Sequence, residues 1–95
     1  MGKAKTARQL ERHLKGIANH YRIEILLLLH KNDGTTLEDI VEVLGANEKT
    51  IGEHTRRLYQ AGLINKNYRS QFVEHTLSPY GNMCADFLAV FERAW

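Results

Sequence analysis

The sequence predicts a mainly α-helical domain carrying one small β-hairpin, with its elements in the order α-α-α-α-β-β-α. Three observations lead there. Apolar residues recur at helical spacing through the first two thirds of the chain. The period changes to two after Gly62. A Ser78-Pro79 start signal then opens a last apolar stripe at helical spacing. The 95 residues are enough for one domain and not two, so 1–95 is read as a single unit. A domain of this size buries only about 60–65% of its unfolded surface, and pairing with a second copy would help it.

Each element follows from local chemistry. Ala7, Leu10, Leu14, Ile17, Ala18 and Tyr21 form one stripe, with Thr6 as the cap, so a first helix is expected over 6–20. The next segment, 21–31, is apolar nearly all round at Ile23, Ile25, Leu26, Leu27, Leu28 and Leu29, and belongs in the centre of the core. Asn32-Asp33-Gly34 ends it. Thr36 opens a third helix by accepting from the amide of Asp39, and Leu37, Ile40, Val41 and Leu44 form its buried face. Gly45 stops it, because glycine tolerates the left-handed conformation that ends helices. Asn47 caps a fourth helix over 48–61 that turns Ile51, Thr55 and Leu58 inward. Two short helices separated by Gly45-Ala46-Asn47 read as a helix-turn-helix over 36–62.

Residues 63–68 and 72–77 are β-branched, aromatic and alternating, and make a hairpin, or wing, over 63–77. Its connection Arg69-Ser70-Gln71 lacks the usual Gly or Asn. The last helix, over 79–95, lines up Tyr80, Met83, Cys84, Phe87, Leu88, Phe91 and Trp95 on one side. Such a stripe serves as core, as a seam between two copies or as a ligand pocket.

The net charge of +2 says less than its distribution. Lys3, Lys5, Arg8, Arg12 and Lys15 crowd the first helix. Asp33, Glu38, Asp39, Glu42 and Glu48 form an acidic stretch. Lys49, Arg56, Arg57, Lys66 and Arg69 then follow with only Glu53 among them. A chain segregated in this way has a positive side, which suits phosphate. The longest apolar run, 25–29, is far too short to span a bilayer, and no apolar run follows the basic residues 1–6 as a signal peptide requires. The single Cys84 excludes an internal disulfide, and a cytoplasmic setting is expected.

No catalytic grouping is visible, so no enzyme is expected: there is no glycine-rich phosphate loop, no serine with a positioned base and no recognisable carboxylate pair. No cofactor and no metal are expected either. His13, His20, His30 and His75 are scattered, His54 is expected half-buried beside Leu58, and Cys84 with Asp86 does not make a site. Cys84 lies in the apolar stripe and reads as an inert core or interface thiol.

"LKGIANHYRIEILLLL", "TLEDIVEVLGANEKTIGEHTRRLYQAGLI" and "FVEHTLSPYG" together resemble the ArsR-type winged helix-turn-helix regulators, over about residues 14–81. The resemblance implies a transcription regulator, a repressor by expectation, that binds double-stranded DNA as a homodimer. It places the fourth helix in the major groove, where base edges carry a distinct donor and acceptor code. The outward residues there are Lys49, Thr50, Glu53, Arg56 and Arg57, and the wing adds Lys66 and Arg69 for the flanking backbone. It also implies that the first and last helices build the dimer interface, through Leu10, Leu14, Ile17, Met83, Phe87, Leu88, Phe91 and Trp95. Gly52-Glu53 departs from the family, whose members often carry Ser-His there. A winged helix used for protein interaction is the alternative that this departure favours. No small-molecule effector is legible.

Overall fold

The computed structural model describes residues 2–94. The elements are α1 (Ala7–Ile17), α2 (His20–Lys31), β1 (Thr35–Thr36), α3 (Leu37–Leu44), α4 (Glu48–Gln60), β2 (Ile64–Arg69), β3 (Phe72–Leu77) and α5 (Pro79–Phe91). The strands form one antiparallel sheet in the order β1-β3-β2. This is a winged helix-turn-helix.

The central helix is the one that is apolar all round. Ile25, Leu26 and Leu29 of α2 are buried, and α2 packs against α3, α4, α5 and β3. Ile40, Ile51, Leu58, Leu63, Ile64 and Ala85 close the core around them. Burial of each large side chain contributes roughly 1.5–3 kcal/mol. Truncating one of them, such as Leu26→Ala, costs roughly 2–5 kcal/mol because a cavity remains.

The caps sit where the local chemistry puts them. Thr36 Oγ1 accepts from the Asp39 amide at 3.2 Å, and Asn47 Oδ1 accepts from the Thr50 amide at 2.7 Å. Gly45 ends α3 with φ +66°. Ser78 Oγ accepts from the Gly81 amide at 2.9 Å, with Pro79 in the first turn of α5.

Four features differ from the sequence expectation. The last helix, expected over 79–95, ends at Phe91 with Glu92 as its cap. The first helix ends at Ile17 rather than running to 20, because Asn19 Oδ1 accepts from the amides of Tyr21 and Arg22 and starts a new helix. Thr35 and Thr36 form an extra two-residue strand on the free edge of β3, opposite His75 and Glu74. Arg69 belongs to β2, opposite Phe72, so the wing turns on Ser70-Gln71 alone. Ser70 takes the left-handed conformation there, φ +57°, in place of a glycine.

Candidate nucleic-acid interface

Helix α4 is anchored from behind. Ile51, Thr55 and Leu58 are buried, and the Thr55 hydroxyl donates to the Gly52 carbonyl at 3.0 Å. Arg56 and Arg57 between them are thereby turned outward, while His54 stays half-buried. Lys49 is exposed in the first turn beside the half-buried Thr50, and Arg56 and Arg57 are exposed two turns on. Nothing lies within 4 Å of where a Gly52 side chain would begin.

Glu53 does not stand alone on this face. Its carboxylate accepts from Arg56 Nε at 3.2 Å, from Arg56 Nη2, and from Arg57 Nε at 3.1 Å. The hydrogen bonds from Arg56, followed by the nearby charges of both arginines, hold the Glu53 carboxyl below the usual carboxylate range. It is therefore ionised at neutral pH and offsets part of the positive charge of the helix. On its other side Arg56 Nη1 donates to Gln60 Oε1 at 3.2 Å. The spacings are i to i+3 and i to i+4, so this cluster was within reach of sequence reasoning.

The wing splits the two cations assigned to it. Residues alternate across a strand, and Lys66 faces His75 in the register while Arg69 faces Phe72. Lys66 therefore lies on the core-side face, with its ammonium 5.1 Å from the centre of the Tyr59 ring at the end of α4. Arg69 lies on the opposite face and reaches Glu74 at 3.5 Å. Tyr59, Tyr68 and Phe72 are exposed around them, and none of the three carries a signal in the sequence that marks it as surface.

His54 is half-buried, with its ring 5.5 Å from that of Tyr21. Burial, then the charges of Arg22 and Arg57, lower its pKa. Its Nδ1 and Arg22 Nε are buried without hydrogen-bond partners.

A second surface lies between α1 and α5. Leu10, Leu14, Met83, Phe87 and Phe91 are exposed, Leu14 by 57% and Phe91 by 64%. They line a groove of about 560 Å³ floored by Ile17 and Leu88. Ile17 belongs to the core and Leu88 packs against it, so these two support the face rather than project from it. Phe87 and Phe91 stack 5.7 Å apart. Val90, 72% exposed, adds an apolar side chain that the stripe omitted. Trp95 lies outside the described residues. His13 Nδ1 shares a 2.7 Å hydrogen bond with the Tyr80 hydroxyl across the groove. Burial pushes the Cys84 thiol up, which keeps it protonated and weakly nucleophilic. Elsewhere His30 Nε2 meets Asp86 at 2.6 Å between α2 and α5. Among the described residues no three His, Cys, Asp or Glu side chains stand together as metal ligands would. No described helix is long and apolar enough to cross a membrane.

An outward cationic helix beside a β-hairpin, on a helix-turn-helix frame, defines a winged helix-turn-helix protein of the regulator type. The model of the bacterial regulatory protein, arsR family, matches residues 19–66, just over half of the chain, and the chain belongs to that family. No curated protein matches it. Among solved structures it is similar to HlyU from Vibrio cholerae, with 24% identity over 98% of both chains and a TM-score of 0.80. It is similar to the homodimeric winged helix-turn-helix DNA-binding domain of Mb0332 from Mycobacterium bovis, a possible ArsR-family transcriptional regulator. Identity there is 22% over 98% of this chain and 89% of the other, with a TM-score of 0.74. The S. aureus MepR–DNA complex matches at 19% identity over 92% of this chain and 76% of the other, with a TM-score of 0.74.

Proposed function

We propose that the chain is a sequence-specific regulator of transcription that binds double-stranded DNA as a homodimer, represses rather than activates, and carries out no catalysis. Helix α4 enters the major groove, Lys49, Thr50, Glu53, Arg56 and Arg57 face the bases and backbone, and Lys66 and Arg69 touch flanking DNA on either face of the wing. The groove between α1 and α5 takes a second copy. A two-fold pair then presents its α4 helices about 34 Å apart, one turn of the double helix. One observation carries this reading: in a chain of the arsR family, the solvent side of α4 holds Lys49, Arg56 and Arg57 next to a wing with two further cations. The homodimeric Mb0332 domain and the MepR–DNA complex support it by likeness of fold.

Selection of bound sequences from random duplex DNA tests it. The expected result is a two-fold symmetric site, bound by the parent and lost by the triple variant Arg56→Ala/Arg57→Ala/Arg69→Ala while circular dichroism shows it folded. Equal binding by parent and variant at low salt refutes the reading. The protein-interaction alternative then leads, favoured by the Glu53 carboxylate that neutralises part of the α4 face.

A further inference from the structure

Within α4, we propose that Arg56 reads a guanine and that Glu53 and Gln60 are the positioning residues that aim it, while Arg57 serves the backbone. This rests on the DNA-binding reading above. A guanidinium has five N–H donors in a rigid plane. Glu53 takes the Nε–H of Arg56 and one on Nη2, and Gln60 takes one on Nη1. One N–H remains on each terminal nitrogen. A pair of donors on adjacent nitrogens matches the O6 and N7 acceptors that guanine presents in the major groove. Arg57 is tied only through Nε, so both of its terminal nitrogens stay adaptable.

Charge separates a base edge from a phosphate as the target. The Glu53 carboxylate takes two hydrogen bonds from Arg56 and one from Arg57, so it offsets more of the charge of Arg56 and repels a phosphate most strongly there, whereas guanine presents neutral acceptors. Fixing Arg56 before binding also removes much of the side-chain entropy that ordering a long arginine costs. An arginine needed only for phosphate gains little from being fixed on both sides. In this role Glu53 is neither a simple repellent nor itself the reader of a base.

The test uses the best duplex from the random selection and copies in which each guanine in turn is replaced by 7-deazaguanine, which lacks the N7 acceptor. The parent is expected to lose roughly tenfold in affinity at one guanine per half-site. Arg56→Met removes every donor at that position, so it should lose that sensitivity. Gln60→Ala changes no charge and should reduce the sensitivity by about threefold or more, part of the discrimination that one bidentate pair supplies. Glu53→Gln should reduce it too, while tightening binding to random duplex. Arg57→Lys should leave it intact. All four positions are on the solvent side of α4, and circular dichroism checks the fold. The inference is overturned if Arg56→Met keeps the parent's sensitivity, or if Gln60→Ala and Glu53→Gln both do. A parent that binds duplex but ignores every 7-deazaguanine overturns this inference alone. A parent that binds no duplex overturns the DNA-binding reading with it.

Discussion

Adding the same methyl group to two helical glycines should have opposite effects. At Gly81, in the first turn of α5, a Cβ would lie 1.8 Å from the Leu63 carbonyl oxygen and 2.8 Å from its carbon. Both are backbone atoms, so no rotamer change relieves the clash. To reach even 3.0 Å, α5 has to withdraw by more than 1 Å. That withdrawal strains the Ser78 amide bond to the Leu63 carbonyl, at 3.0 Å, and the Ser78 hydroxyl bond to the Gly62 carbonyl, at 2.6 Å. Overpacking costs roughly 1–3 kcal/mol and each buried hydrogen bond about 1 kcal/mol, so Gly81→Ala should lose about 3 kcal/mol or more. A loss of that size lowers the thermal midpoint by at least about 12 °C in a domain of this length. At Gly52 the same methyl group meets nothing within 4 Å. Helix propensity alone then acts, and Gly52→Ala should gain roughly 0.5–1 kcal/mol. Thermal and urea unfolding at matched protein concentration measure both, since assembly shifts apparent stability. The reasoning fails if Gly81→Ala unfolds with the parent, or if Gly52→Ala destabilises the fold.

Three further outcomes are expected. Arg69→Ala should weaken binding about equally on all duplexes and lower the slope of log K against log salt by about 1, read by titration across a salt series. Phe87→Glu/Phe91→Glu should sediment at the mass of one chain at micromolar concentration where the parent sediments at two. A parent that sediments as one chain and still binds a palindromic site tightly refutes the dimer. Acidification should destabilise the fold through His75. Burial lowers its pKa, partly opposed by its Nδ1 hydrogen bond with the Thr35 carbonyl at 3.2 Å. A folded value below the unfolded one of about 6.5 means stability that is present above pH 6.5 and lost as pH falls below it. Thermal midpoints between pH 7.5 and 5 should fall less steeply for His75→Asn than for the parent.

What the sequence discloses depends on the range over which the chemistry acts. Both ends of α3 and the starts of α4 and α5 are legible because Thr36, Gly45, Asn47 and Ser78-Pro79 act on amides and dihedrals within three residues. The break at Asn19 is equally local, yet Ala18 and Tyr21 continue the apolar period of α1 across it and hide the cap. Strand β1 is illegible in principle, since two threonines become a strand only by pairing with His75 and Glu74 far along the chain. In the site, Arg56 and Arg57 are found by exclusion once Ile51, Thr55 and Leu58 fix the buried side. Their joint hold on Glu53 follows from helical spacing, and reading the residues one at a time misses it. The Lys66 ammonium over Tyr59 depends on how the wing docks on α4, which no local pattern encodes.

The close approach at Gly81 also relates the two surfaces. The apolar groove is carried by α5, and the cationic face by α4 and the wing. Between them stand Gly62 and Leu63, the residues that leave α4 and enter β2. The Leu63 amide donates to the Leu58 carbonyl on α4, and the Leu63 carbonyl accepts from Ser78 at the head of α5. Ser78 also donates to the Gly62 carbonyl, and Gly81 lies against Leu63 with no room for a side chain. A shift of α5 relative to the sheet therefore cannot be absorbed there by side-chain rotation, because the contact is backbone on backbone. It has to move the junction of α4 with the wing or break these hydrogen bonds. With glycine at 81 the head of α5 and that junction behave as one packed piece, so in the proposed pair the spacing between two α4 helices would be set where α5 meets its partner.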